Sequence, residues 1–464
     1  RAEKKNLIII LNDNKMSIAE NVGGMSAYLN KARTQKGYVE FKGNVEQSLS
    51  KIPGVGERLI RVLKKSKDSI KQLFIPGMMF EDMGITYVGP IDGHNIPQML
   101  EIFQRAKQLD EPIIIHVVTK KGKGYLPAEK NPAKFHGVNP FVVKTGESKT
   151  KSSGPTYTDI FAKTLAEAAE EDPKITAVTA AMPDGTGLQK FGEAFPDRFY
   201  DVGIEEEHAV TFCAGMASRG LKPVFAVYST FLQRGFDQIL HDTAIGSYPV
   251  LFALDRSGLV GADGETHQGI FDIPYLSMIP NMAVLAPVNG KELREMLLYV
   301  LKNPKCPTAV KYSRGAAETL YEDQVEKIVW GKGQVLKEGK DAVILSVGNM
   351  LPEAVKAAEI LEEQGYRIGL VNPRFIKPMD TELLDQLGEE YSLIVTLEEG
   401  ILNGGYGSMV MQYLMQKGYK GRIHNIGIED QFVEHGSISE LRKMLKIDGE
   451  NIAARMKQWL ENEI

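Results

Sequence analysis

Between Asp201 and Gly269 the sequence concentrates residue types that move protons and grip anions. Glu205-Glu206-Glu207 opens a helix of small and apolar residues that ends near Gly220. Two apolar runs follow, Val224–Val227 and Val250–Leu254. Their length and bounding residues predict buried parallel strands. The first empties into Tyr228, Phe231 and Arg234, the second into Asp255, Arg256, Asp263 and His267, and a later run, Ala309–Tyr312, leads to Arg314. In an open α/β sheet, ligands bind outside the carboxyl ends of the strands, so these groups should meet at one edge. Arg forks recognise carboxylate and phosphate bidentately, and His passes protons near neutral pH. The pattern predicts an enzyme site without naming its reaction.

The elements that must position these residues alternate throughout the chain. Leu7–Leu11 reads as a short buried strand, and Asn12–Ser17 as the loop at its end. Asn and Asp dominate turns, but oxygen ligands in this arrangement also suit a hard divalent cation. A βαβ unit follows from Tyr87–Pro90, a helix Ile96–Leu109 and a strand Pro112–Thr119, with His94 and Tyr125 in its loops. Residues 144–155 are polar, rich in Gly and Ser, and read as a linker. Beyond it come a helix Tyr157–Glu170 and strands Ile175–Thr179, Phe199–Val202, the two runs above, Ala283–Leu285 and Ala309–Tyr312. A further set begins near Gly331: Ala342–Val347, Ile368–Val371, Leu393–Leu397 and Ile423–Ile426. Strands alternating with helices predict an α/β chain of doubly wound domains with parallel or mixed sheets. The expected domains are 1–143, 156–322 and 331–464.

Three motifs invite other readings. Asp184-Gly185-Thr186-Gly187 lacks Walker spacing and a following Lys. Gly404-Gly405-Tyr406-Gly407 opens a helix and could hold an anion, though close backbone packing explains such glycines as well. Residues 51–74 begin KIPGVG and continue as a basic helix, a pattern seen where backbone amides grip DNA. The motif is single and the chain carries a net charge of −5, so a solvated amphipathic helix is the expectation and nucleic acid is not an expected partner.

With 464 residues, 43% hydrophobic and 25% charged, the composition is that of a globular protein with ample core. Only Cys213 and Cys306 occur, without metal-like spacing, which predicts free thiols in a reducing compartment. No apolar run approaches the ~20 residues of a membrane span, and the first residues do not form a signal peptide. A cytoplasmic protein with no membrane partner is expected.

Several long motifs carry a resemblance over essentially the whole chain: NDNKMSI, GPIDGH, TKKGKGY, YSTFLQR, DRSGLVGADGETHQG, YSRG at Tyr312–Gly315, and LEEG…GGYGS. Together they resemble the 1-deoxy-D-xylulose-5-phosphate synthase family of transketolase-like thiamin diphosphate enzymes. The resemblance implies a homodimer using thiamin diphosphate and Mg2+ to condense pyruvate with glyceraldehyde 3-phosphate. It implies that Asn14 and the Met16 carbonyl bind the metal and diphosphate, that Tyr125 contacts the cofactor, and that His94 faces the substrate. Glu206 would engage the pyrimidine ring so that the cofactor can lose its thiazolium proton, with Phe231 packed against that ring. Tyr228, Arg234, Arg256, Asp263, His267 and Arg314 would line the substrate side. In the family a segment with a Gly-Asp-Gly motif precedes the point where RAEKK begins, so the first domain is expected to be incomplete. A transketolase or a 2-oxo-acid dehydrogenase decarboxylase subunit shares the fold and the Glu, but the wording from Arg256 to Gly269 favours the synthase.

Overall fold

The computed structural model describes residues 7–16, 18, 24, 78–138, 140–149 and 154–461. The basic stretch 51–74 lies outside the described residues. The chain divides into two compact units, Arg1–Thr150 and Lys151–Ile464.

The first unit contains strands β1 (Ile8–Asp13), β2 (Thr86–Asp92) and β3 (Ile113–Val118) in a parallel sheet ordered β1-β3-β2. Central β3 reads IIIHVV, a β-branched run suited to burial on both faces. Its one polar residue, His116, is fully buried and doubly satisfied: Nε2 meets Asp13 Oδ2 at 2.8 Å and Nδ1 meets Tyr87 Oη at 2.7 Å. A buried imidazole costs little when both nitrogens are bonded. The helix Ile96–Ala106 starts where Asn95 accepts from the Gln98 N–H, with Pro97 in its first turn. The expected linker does not begin at 144: β4 (Phe141–Val142) and β5 (Glu147–Ser148) form an antiparallel hairpin there. The Tyr125 hydroxyl donates to Val143 O at 2.7 Å and pins that hairpin.

The second unit holds two sheets. Its first contains β6 (Ile175–Thr179), β7 (Phe199–Asp201), β8 (Lys222–Tyr228), β9 (Leu251–Asp255), β10 (Ala283–Leu285) and β11 (Thr308–Lys311). The second is built from β12 (Gln334–Lys337), β13 (Ala342–Ser346), β14 (Ile368–Asn372), β16 (Leu393–Ile401) and β17 (Arg422–Ile428), in the order β12-β14-β13-β16-β17. Between β14 and β16 lies β15 (Phe375–Lys377), which leaves its own module and pairs antiparallel with β10. The first sheet therefore runs β15-β10-β11-β9-β8-β6-β7. Both sheets are mixed: β12 and β15 are antiparallel edges on otherwise parallel sheets.

The crossing at β15 is secured by Arg374, which is 2% exposed. Its Nε donates to Glu292 Oε1 at 2.7 Å and its Nη2 to Gln334 Oε1 at 2.5 Å. One apolar core joins both sheets, running from Val178, Phe225 and Ile273 to Val343, Leu345 and Val410. The two modules thus form one compact unit. No helix among the described residues is long and apolar enough to cross a membrane.

Candidate functional site

The strand order of the first sheet in the second unit reverses between β6 and β8: the chain leaves β6 for β7 on one side, then returns past β6 to β8 and β9 on the other. Ligand crevices open at the carboxyl ends of strands at such a point. Tyr228 ends β8 in register with Asp255, which ends β9, and Leu254 is in register with Lys311 at the end of β11. The Gly-rich loop after β6 closes on this edge. A Cβ on Gly185 would lie 2.6 Å from the Tyr228 hydroxyl and 2.9 Å from the Met182 methyl, so a side chain there would have to displace the tips of both.

Glu206 begins the helix Glu206–Ser218 and is 3% exposed, whereas Glu205 and Glu207 are exposed. Helical spacing explains the sorting. Glu206, Ala209, Val210 and Cys213 form one buried stripe, and its neighbours in sequence point away. The flanking acids are therefore solvated charges in a helical first turn. Arg234 Nη1 donates to both oxygens of Glu206, at 2.9 and 3.0 Å.

From this pair a chain of contacts runs through every predicted residue of the second unit. The Arg234 guanidinium lies 5.6 Å from the centroid of Phe231. Phe231 stacks on Tyr228 at 5.6 Å and meets the edge of His267 at 5.4 Å. The His267 Nδ1 is 2.9 Å from Thr266 Oγ1. Arg256 lies over Tyr228 with its guanidinium carbon 4.1 Å from the ring centroid. Asp263 then bridges two guanidiniums: it is paired with Arg256 through one oxygen and with Arg314 through the other at 3.1 Å. Arg314 Nη1 also donates to Val260 O at 2.6 Å. Two guanidiniums thus share one carboxylate at a half-buried edge, with Asp255 close enough to feel the charge of both.

Burial sets the protonation behaviour here. It pushes the Tyr228 hydroxyl up to about 12, partly offset by Arg256. Desolvation likewise raises Asp255 to about 6, against a hydrogen bond from Thr158 and the charge of Arg256. The Thr158 hydroxyl donates to Asp255 Oδ2 at 2.6 Å.

In the first unit, Asn14 Oδ1 accepts from the Met16 N–H at 3.0 Å, the geometry of an Asx turn. His94 Nε2 accepts from the Lys120 N–H at 2.9 Å, which ties the His94 loop to the loop carrying Tyr125. Tyr125 packs with Phe135 and Phe141. Among the described residues no group of three or more His, Cys, Asp or Glu is arranged to hold a metal.

Sequence reasoning missed a second layer. Lys311 is 8% exposed and donates to Asp272 Oδ1 at 2.9 Å, and Asp272 Oδ2 accepts from Ser229 Oγ at 2.9 Å and from Ser257 Oγ at 2.5 Å. The carboxyl end of β16 supplies buried Glu398 and Glu399. Glu398 accepts from the Tyr406 and Gly407 N–H groups at 3.0 and 2.9 Å. The glycine-rich helix start that could have held an anion is thus filled by the chain's own carboxylate. Desolvation raises Glu398 to about 7 despite those two bonds. A lysine inside the apolar run TAVKY and a Glu pair closing LIVTL were the available signals, since charges within buried strands need partners.

Three family matches tile the chain: residues 1–119 match 1-deoxy-D-xylulose-5-phosphate synthase, residues 153–319 the transketolase pyrimidine binding domain, and residues 331–452 the transketolase C-terminal domain. Curated relatives named 1-deoxy-D-xylulose-5-phosphate synthase include those of Lachnoclostridium phytofermentans, 52% identical over 98% of this chain and 72% of the relative, and Carboxydothermus hydrogenoformans, 47% identical over 98% and 73%. The Clostridium kluyveri relative of that name is 49% identical over 98% of this chain and 72% of its own length. Among solved structures, a protein described as "Split gene transketolase, inactive beta4 tetramer" superposes with a TM-score of 0.61 at 27% identity, covering 67% of this chain and all of that one. With the resemblance carried by the motifs, the transketolase-like α/β architecture and identities near one half over almost its whole length, the chain belongs to the 1-deoxy-D-xylulose-5-phosphate synthase family of transketolase-type, thiamin diphosphate-dependent transferases.

Proposed function

We propose that this chain condenses pyruvate with D-glyceraldehyde 3-phosphate, releasing CO2 and forming 1-deoxy-D-xylulose 5-phosphate. Thiamin diphosphate and Mg2+ are the cofactors of this reading, with a cytoplasmic homodimer as the working form. The observation that carries it is the unbroken contact path from Glu206 through Arg234, Phe231, Tyr228 and Arg256 to Asp263 and Arg314. A buried carboxylate lies at one end of this strip and two guanidiniums that share Asp263 at the other.

The donor set suits the cofactor. Glu206 is buried and its oxygens accept from a single protein nitrogen, which leaves lone pairs for an aminopyrimidine ring. Half-buried Phe231 offers an aromatic face nearby. When bound, thiamin diphosphate supplies the carbanion equivalent that lets pyruvate lose CO2 and pass its two-carbon unit to an aldehyde. Glu206 would hold a proton at the pyrimidine ring nitrogen and orient that ring. Arg256 and Arg314 would grip the acceptor phosphate, with Asp263 fixing their relative position. His267, beside Phe231, would move a proton at the acceptor carbonyl, while Arg234 and Tyr228 line the path between. In the first unit, Asn14 and the Met16 carbonyl would contribute oxygen ligands to Mg2+, Tyr125 would contact the cofactor, and His94 would face the substrate. This reading divides the chain into domains at 1–143, 156–322 and 331–464, beside family matches over residues 1–119, 153–319 and 331–452.

A coupled assay tests the reading. Pyruvate with glyceraldehyde 3-phosphate should release CO2 and form the five-carbon product. Turnover only with a lipoyl acceptor, or from a ketose phosphate donor without CO2, would overturn it.

A further inference from the structure

The loop from Arg256 to Gly269 carries three of the residues assigned to the substrate, yet its anchor belongs to the other sheet module. Gly258 and Gly269 exchange two backbone bonds of 2.8 Å, which closes the loop at its base. Leu259, fully buried, enters the core of the second module beside Ile344, Leu397 and Ile426. Its N–H donates to Glu399 Oε2 at 3.0 Å, across 140 positions of sequence. Glu399 is 4% exposed and held on every side. Asn349 Nδ2 donates to the same oxygen at 2.6 Å, and Arg442 Nε donates to the other at 2.7 Å. Arg442 Nη1 in turn pairs with Glu353 at 3.2 Å.

The next residue carries the connection into the site. The Val260 carbonyl accepts from Arg314 Nη1 at 2.6 Å, and Arg314 shares Asp263 with Arg256. At the far end of the loop, Gln268 Oε1 accepts from the Val260 N–H at 2.8 Å while its Nε2 donates to Glu434 O at 2.9 Å. Val260 is therefore held from both sides by groups that trace to the second module. A loop of this kind has no ladder of its own to hold its carbonyls, so a charged acceptor locked by an arginine is an effective fixed point.

We propose that Glu399 is a positioning residue for acceptor recognition, fixing Leu259 and Val260 so that Arg256 and Arg314 keep the spacing a phosphate requires. This rests on the assignment of those arginines to the acceptor phosphate. A tie that merely held the modules together would act on both substrates and on every acceptor alike. Positioning instead weakens one recognition event.

The test compares Glu399→Gln, Arg314→Ala and the double variant in purified enzyme. Glyceraldehyde 3-phosphate and unphosphorylated glyceraldehyde serve as acceptors, and pyruvate is varied separately. Glu399→Gln should raise KM for glyceraldehyde 3-phosphate about 10-fold, the scale of one impaired contact. The pyruvate KM and the kcat/KM for glyceraldehyde should stay within about twofold. Added to Arg314→Ala, it should raise the KM little further, because the contact it positions is already gone. If Arg314→Ala is selective for the phosphate and Glu399→Gln is not, the proposal falls and the assignment of the arginines survives. If Arg314→Ala shows no selectivity, the assignment itself fails and the proposal with it. Equal losses with both acceptors would make Glu399 a structural tie only. Should Glu399→Gln not fold, Asn349→Ala removes a donor from the same oxygen, and the same selectivity decides.

Discussion

Gly258→Ala probes the junction between the two sheet modules directly. Gly258 has φ +79°, and a Cβ built on it would stand 2.3 Å from Glu399 Oε2 and 3.2 Å from its carboxyl carbon. Two costs follow. An alanine in the left-handed region is disfavoured by roughly 1–2 kcal/mol. The methyl group also forces Glu399 back from the Leu259 N–H, and a hydrogen bond to a charged acceptor is worth about 1.5–3 kcal/mol. Together they predict a loss of about 3–5 kcal/mol, the sum of those two ranges rounded. At about 2 °C per kcal/mol for a body of this size, the melting temperature should fall by roughly 6–10 °C. Differential scanning fluorimetry of the wild type, Gly258→Ala, Glu399→Ala and the double variant closes a thermodynamic cycle. With Glu399 truncated the clash disappears, so alanine at 258 should then cost only its backbone strain of roughly 1–2 kcal/mol. An undiminished penalty in the Glu399→Ala background would show that Gly258 is required for φ alone. A loss of no more than about 2 kcal/mol, the backbone strain alone, would refute the close approach.

Three further outcomes are expected. Glu206→Ala should lower kcat by ~10²–10⁴ with little change in melting temperature, because its partner Arg234 is half exposed; Glu205→Ala and Glu207→Ala should stay near wild type, and equal losses in all three would mean that a different carboxyl serves the ring. Arg256→Ala or Arg314→Ala should raise the KM for glyceraldehyde 3-phosphate about 10-fold or more, one lost charge-assisted bond, and the penalty should vanish with unphosphorylated glyceraldehyde; a penalty of the same size there would assign these arginines to pyruvate or to site shape. Burial lifts Asp255 from 3.8 to about 6, so its contribution to stability is full below pH 3.8 and is lost as pH rises through 6. Above that pH the displacement is worth about 3 kcal/mol at 1.36 kcal/mol per pH unit, and Asp255→Asn should abolish this part of the melting-temperature profile between pH 4 and 8, whereas an unchanged profile would mean that Asp255 ionises freely in the folded protein.

Local pattern was enough to mark most of the parallel strands. The sequence pattern places Ile175–Thr179 and Ala283–Leu285 at their observed bounds because continuous apolar runs between turn residues have one stable use in this fold. The positions of Tyr228 at the end of its strand and of Arg256 and Arg314 just past theirs are equally legible, since strand direction alone sends those residues to the same edge. Glu206 stands out among the three acids only through the resemblance; its burial beside Ala209, Val210 and Cys213 is a finding of the structure.

Pairings over long separations were not legible. Strand β15 is three residues long, between Arg374 and a proline, so no periodicity identifies it, and only the tertiary fold sends it across to β10. The boundary expected at 331 is for that reason crossed by a strand as well as by a shared core. The strand ends of residues 331–464 show few enzyme-like clusters of ionisable residues, so from sequence they read as a structural, dimer-forming domain, yet they bring Glu399 against the loop that bears Asp263 and His267. Periodicity records which face of an element is buried, because burial is a property of each residue. Which carboxylate meets which N–H across 140 positions depends on how two sheets stack, and no local spacing encodes that.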